Sequence, residues 1–221
     1  MAYILCIETS TTNCSVALVK DEKLVLLKED YNKTYSHAER LHSFIDEIIK
    51  ESEISIKDLS AISVSKGPGS YTGLRIGVSA AKGLCYALDI PLISVPTLQT
   101  LAMQVMGKKN AYIIPMLDAR RMEVYSSVFS EEHIELRETK AEILTETSFS
   151  EYLKNKSVFF IGNGVEKFSQ ICSDIDNATF IKDKLPSAKE MALLSYQKYI
   201  KEEFENVSYF DPYYLKDFVT G

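Results

Sequence analysis

A chain of 221 residues with 46% hydrophobic and 25% charged side chains has room for one two-lobed domain or two small ones, and the make-up of an ordinary globular protein. A net charge of −6 with no basic run speaks against stand-alone nucleic-acid binding, which needs clustered Lys and Arg against phosphate. No apolar run reaches the roughly 20 residues of a membrane helix, and MAYILCIETS lacks the basic start and cleavage site of a secretory leader, so a cytoplasmic location away from the membrane is expected. Cys6, Cys14, Cys85 and Cys172 stand singly in apolar segments with no CxxC pair, which predicts reduced, buried thiols.

Tyr3–Glu8, Ser15–Val19 and Lys23–Glu29 read as three strands in a meander, with the polar hairpin Thr9–Asn13 between the first two. Ser36–Ser52 is an amphipathic helix: Ala38, Leu41, Phe44, Ile45, Ile48 and Ile49 share one face. Ser60–Ser65 is a short buried strand that runs into Gly67-Pro68-Gly69. Here the glycines are expected to turn the chain at positive φ and the proline to fix the corner. Ser70 or Thr72 caps the next helix, up to Leu88.

That helix is unusual. Arg75, Ser79, Lys82 and Tyr86 share one narrow strip, and roughly 280° of the circumference is small or apolar at about 100° per residue. Gly73, Gly77, Ala81 and Cys85 recur every fourth residue and leave one flank almost without side chains. A helix lying on one face of a sheet needs an apolar stripe of only about 100° or somewhat more. The excess predicts a second covering surface, either another helix of this chain or another protein.

Pro91–Val95 is a further strand and Thr97–Met106 a helix. A second lobe is expected from Lys108, giving lobes of 1–107 and 108–221 with the tail able to pack back on the first. Its strands are Ala111–Leu117, Glu123–Phe129, Ile134–Arg137, Val158–Ile161 and Thr179–Ile181. Its helices are Phe149–Lys154, Val165–Cys172 and Ser187–Lys201, and the aromatic tail Phe210–Phe218 is expected to pack down. Each half runs strands first and then alternates strand and helix, compatible with a duplicated α/β lobe.

ILCIETSTTNCSVAL, SHAERLH, SKGPGSYTGLRIGVSAAKGL, DARRMEVYSSVF and PYYLKDF stand in the order and spacing of the bacterial TsaB (YeaZ) family, which the chain resembles over nearly its whole length. The resemblance implies an α/β fold of two ribonuclease-H-like lobes of the actin, Hsp70 and sugar-kinase superfamily, the second lobe reduced. It implies a catalytically silent relative of the TsaD threonylcarbamoyltransferase that pairs with a TsaD-like subunit through its two first-lobe helices. A TsaE-like ATPase is expected on that complex, tRNA is reached only through it, and the isolated chain is expected to pair with itself. Carried over, the partner contacts are His37, Leu41, Ile45, Gly73, Arg75, Ile76, Gly77, Ala80, Ala81 and Leu84. For Arg75, pairing with an acid of the partner and ordinary solvation are the two readings.

The residues themselves bound the other chemistries. A metal-dependent peptidase is the weaker alternative: His37 and His42 are five apart, about 140° around a helix, and cannot readily close on one ion, so no metal site is expected. An actin-like ATPase or kinase is the other alternative. Glu8, Thr9 and Ser10 match its phosphate hairpin weakly, without a glycine, so no cofactor is expected, with weak ATP–Mg binding left open. The Gly67–Gly69 turn lacks the lysine of a P-loop, and Ser70 directly follows Gly69, so no GxSxG elbow forms and no catalytic residue is assigned. Asp118, Arg120, Arg121 and Glu123 form a charged turn, by default solvated, with a tRNA or TsaD contact as the alternative.

Overall fold

The computed structural model describes residues 1–31, 37–154, 156–173 and 176–216. The chain divides into two compact units, Met1–Thr100 with Pro186–Gly221, and Leu101–Leu185.

The first unit is built on a five-stranded sheet of β1 (Tyr3–Glu8), β2 (Cys14–Lys20), β3 (Lys23–Asp30), β4 (Leu59–Ser65) and β5 (Leu92–Val95), in the order β3-β2-β1-β4-β5. The first three strands pair antiparallel; β4 and β5 join parallel. Alternation along β1 separates the two faces. Leu5 and Ile7 enter an apolar core with Val16, Leu18, Ile62 and Val64. Helices α1 (His37–Glu51) and α2 (Tyr71–Leu88) cover this core. Cys6 faces the other way, toward α6 (Met191–Ile200), whose Ser195 hydroxyl donates to Ser63 Oγ at 2.7 Å.

The second unit repeats this plan with β6 (Ala111–Asp118), β7 (Glu123–Ser130), β8 (Glu135–Ile143), β9 (Ser157–Gly162) and β10 (Ala178–Lys182), in the order β8-β7-β6-β9-β10. Again the first three strands are antiparallel and the last two parallel. Phe149, Phe160 and Phe168 meet edge to face, centroids 5.0–5.8 Å apart, in its core. The expected duplication is therefore real at the level of strand order.

Several expected boundaries move. The first break falls after Thr100 rather than at Lys108, and residues from Pro186 onward belong to the first unit, not the second. Helix α6 lies on β5, β1 and β4, and beyond it Glu205 bridges to Leu92 while accepting from Ser94 Oγ at 2.5 Å. An apolar helix face does not say which sheet it will cover. The helix expected over Ser187–Lys201 is a 3-10 turn, Ala188–Glu190, followed by α6, with Ser187 as cap of the turn. The helix from Thr97, α3, ends at Ala102, that near Phe149, α4, is Ser150–Leu153, and that from Val165, α5, ends at Ser169. Strand β8 runs to Ile143, well past Arg137, because it pairs along β7 although its residues are mostly exposed and charged. Ser36, the expected first residue of its helix, and Asp217 and Phe218 in the tail lie outside the described residues.

Candidate partner-docking helices

The corner Gly67-Pro68-Gly69 delivers the chain from β4 into α2. Gly67 alone has positive φ, +109°, and a Cβ there would meet the Tyr213 carbonyl at 2.7 Å. Gly69 is needed for space and not for φ: a side chain would strike the Ser10 backbone, whose carbonyl accepts the Ser70 amide at 2.7 Å. Ser70 caps α2 by accepting from the Gly73 amide at 3.3 Å. The glycine corner thus seats the start of α2 directly on the β1–β2 hairpin.

The glycine flank of α2 is already filled by this chain. A Cβ on Gly73 would collide with the Thr9 carbonyl, and one on Gly77 with the Thr9 hydroxyl. Thr9 Oγ1 instead donates to Gly73 O at 2.8 Å. Gly73, Gly77 and Ala81 are buried in the chain's own first unit, as are His37, Leu41 and Ile45 of α1. The small-residue flank is therefore a socket for the hairpin Thr9–Thr11. Four residues' spacing signals a close approach but not who approaches.

His37 closes the other side of the socket. Its Nε2 donates to the Thr11 carbonyl at 2.7 Å, which fixes the ring against the hairpin. Burial holds its imidazole below the ordinary pKa, against the pull of Thr11 and Asp30. His42 is exposed and does not face the socket. Among the described residues no cluster of three or more His, Cys, Asp or Glu is placed to hold a metal.

Glu8, Thr9 and Ser10 are brought together but turned inward, each at most 1% exposed. Glu8 Oε1 accepts the Ser10 amide at 2.7 Å. Burial pushes its carboxyl above the ordinary range, opposed by the Ser10 and Ser65 hydroxyls and the amides of Ser10 and Thr9. Cys6, on the same face of β1, is pushed up to about 12 by burial. None of the four cysteines is in a disulfide; Cys172 alone is only half-buried.

What α2 leaves uncovered is the opposite arc. Thr72, Arg75, Ser79, Gly83, Tyr86 and Ala87 are exposed, and Ile76, Ala80 and Leu84 are half-buried beside them. Helix α1 packs next to α2 and adds exposed Ala38 and His42, one turn apart, and half-buried Ile49, two turns further on. This is a small-residue and aliphatic surface with little charge. Along its edge runs the tail, which the sequence reading places only as packed down: Tyr213 N donates to Lys66 O at 2.7 Å, and Lys82 Nζ donates to Phe210 O at 2.9 Å.

In the second unit, the turn after β6 is braced from behind. Lys167 Nζ pairs with Asp118 at 2.8 Å and donates to the carbonyls of Arg121 and Glu123, leaving Arg120 and Arg121 exposed. Sequence reading misses Lys167, which lies far along the chain from the turn it supports.

The family model TsaD, tRNA N6-adenosine threonylcarbamoyltransferase, matches residues 32–220. A TsaB protein of Haemophilus influenzae, described as a tRNA threonylcarbamoyladenosine biosynthesis protein, is 30% identical over 98% of this chain and 94% of its own. The chain belongs to the TsaB family. TsaB of Bacillus subtilis is 34% identical over 78% of this chain and 76% of its own. The solved structure of YeaZ from Pseudomonas aeruginosa superposes with a TM-score of 0.80 at 24% identity, over 97% of this chain and all of that one. A second Pseudomonas aeruginosa structure, described as similar to peptidase YeaZ, gives 0.84 at 23% identity over 98% and 100%. The fold is accordingly that of these YeaZ structures, built on two five-stranded mixed sheets of like strand order.

Proposed function

We propose that this TsaB-family chain is a non-catalytic subunit in the biosynthesis of threonylcarbamoyladenosine in tRNA, and that it docks onto a TsaD-type threonylcarbamoyltransferase through the outer arc of α2 and the adjoining ridge of α1. Family membership supplies the pathway. The observation that carries the docking face is the apolar surface left over once the hairpin has filled the glycine socket: Ile76, Ala80, Gly83, Leu84 and Ala87 next to Ala38, His42 and Ile49. A second pair of helices laid across it would hide about 800 Å² per side, the size of a standard specific interface.

The same face serves self-pairing when the partner is missing, so homodimer and heterodimer exclude each other. The reading gives this subunit no catalytic residue and no resident cofactor, and is supported by the inward packing of Glu8, Thr9 and Ser10. tRNA and a TsaE-like ATPase are engaged by the assembled complex, in the cytoplasm. No helix among the described residues is long and apolar enough to cross a membrane.

The test is co-expression with the TsaD-type protein of the same genome. A one-to-one complex, and loss of the modified nucleoside from tRNA digests when this gene is deleted, are expected. Robust modification by the TsaD-type protein in the deletion strain would contradict the reading.

A further inference from the structure

Beside the apolar docking face lies a feature that the docking reading leaves unused. A groove of about 400 Å³ separates α2 from the tail, lined by Arg75, Val78, Ser79, Lys82, Asp211 and Tyr214. Arg75 does not wave in solvent there. Its guanidinium carbon stands 4.1 Å from the Tyr71 ring centroid and 6.0 Å from that of Tyr214, and those rings are 4.7 Å apart. Its Nε donates to the Tyr214 hydroxyl at 3.2 Å. One nitrogen is thus used to orient the plane. The two terminal nitrogens have no hydrogen-bond partner among the described residues, although Asp211 lines the same groove and forms no ion pair with Arg75 or Lys82 within 4 Å.

Such an arrangement is costly for a merely solvated arginine, which would otherwise keep its rotamer freedom. It suits a planar fork that must meet a carboxylate two-on-two, a geometry lysine cannot supply. Lys82 adds a second positive charge on the groove wall while its Nζ holds the carbonyls of Ser208 and Phe210, so the tail and the cation site are one construction. Asp211 disfavours a doubly charged phosphate in the same place more than a single carboxylate.

We infer that Arg75, set by Tyr71 and Tyr214, is a receptor for one aspartate or glutamate side chain of the docked partner. The inference rests on the docking reading above and names the polar anchor at the rim of that face. Tyr214 is the positioning residue, which assigns the tail a role in recognition.

Titration calorimetry of the full chain with its TsaD-type partner, without tRNA, tests it. Arg75→Ala is expected to weaken binding about tenfold or more, and Arg75→Lys nearly as much, because the fork is lost while the charge stays. Tyr214→Phe is expected to cost a few-fold, and Arg75→Ala to flatten the salt dependence. Since Arg75 is exposed, the thermal midpoints of these variants should match the wild type. Binding by Arg75→Ala or Arg75→Lys within twofold of wild type overturns the inference, as does an effect confined to RNA binding by the assembled complex. If the wild type gives no complex at all, the docking reading falls first and takes this one with it.

Discussion

The two flanks of α2 look alike as sequence and do opposite things in the structure. Gly73, Gly77 and Ala81 form one stripe, Ile76, Ala80, Gly83 and Leu84 form the stripe beside it, and both are small or apolar. The first set is filled by the chain's own hairpin, with Thr9 seated where a Cβ would be; a Cβ on Gly83 meets nothing within 4 Å. Small residues therefore mark two different economies on one helix. Inside, they let backbone and side chain of the same unit interlock. Outside, they leave a low surface that a partner helix can reach.

The largest effect should come from filling the socket. Gly77→Ala must displace the Thr9 side chain and is expected to cost about 1–3 kcal/mol in urea denaturation. Gly77→Arg should not yield folded protein, so it reports on the fold and not on docking. A fully stable Gly77→Arg would erase the difference between the flanks. Thr9→Val keeps the shape but removes the hydroxyl that donates to Gly73 O, and about 1 kcal/mol is expected to go.

A smaller effect is expected at Glu8, at the root of the same hairpin. Its carboxyl holds a proton more tightly folded than unfolded, so the burial penalty is absent below the ordinary value of 4.5 and grows as pH rises toward the raised folded value. Stability should fall with pH across that window. Glu8→Gln should flatten the fall and raise the melting temperature at neutral pH; an unchanged profile would show that the buried group does not titrate there. Smallest, and of opposite sign, Gly83→Ala on the open flank should stabilise α2 by about 0.5–1 kcal/mol.

Much of the fold was legible. The meander Tyr3–Glu29 and the strand-corner-helix over 60–88 follow from alternation, Gly-Pro-Gly and the Ser70 cap, all short-range signals. Long-range choices were not. Nothing in MALLSYQKYI says that this helix returns to the first sheet, where Ser195 meets Ser63. The glycine spacing along α2 identified a close contact, but the occupant, Thr9, lies more than sixty residues earlier and reads only as a polar hairpin. Glycine at 69 was expected for its φ and is required for its lack of a side chain. The arginine on the ridge was visible; the Tyr214 that orients it was not, because a tail of aromatics has no period.

The most direct test sets a charge on the open flank without touching the socket. Gly83→Glu should fold at least as stably as the wild type, because nothing surrounds it and glutamate is a better helix former than glycine. Sedimentation of this variant with its TsaD-type partner is predicted to show two separate species where the wild type shows one complex. A complex that forms as tightly with Gly83→Glu as with the wild type would contradict the assignment of the outer arc as the docking face.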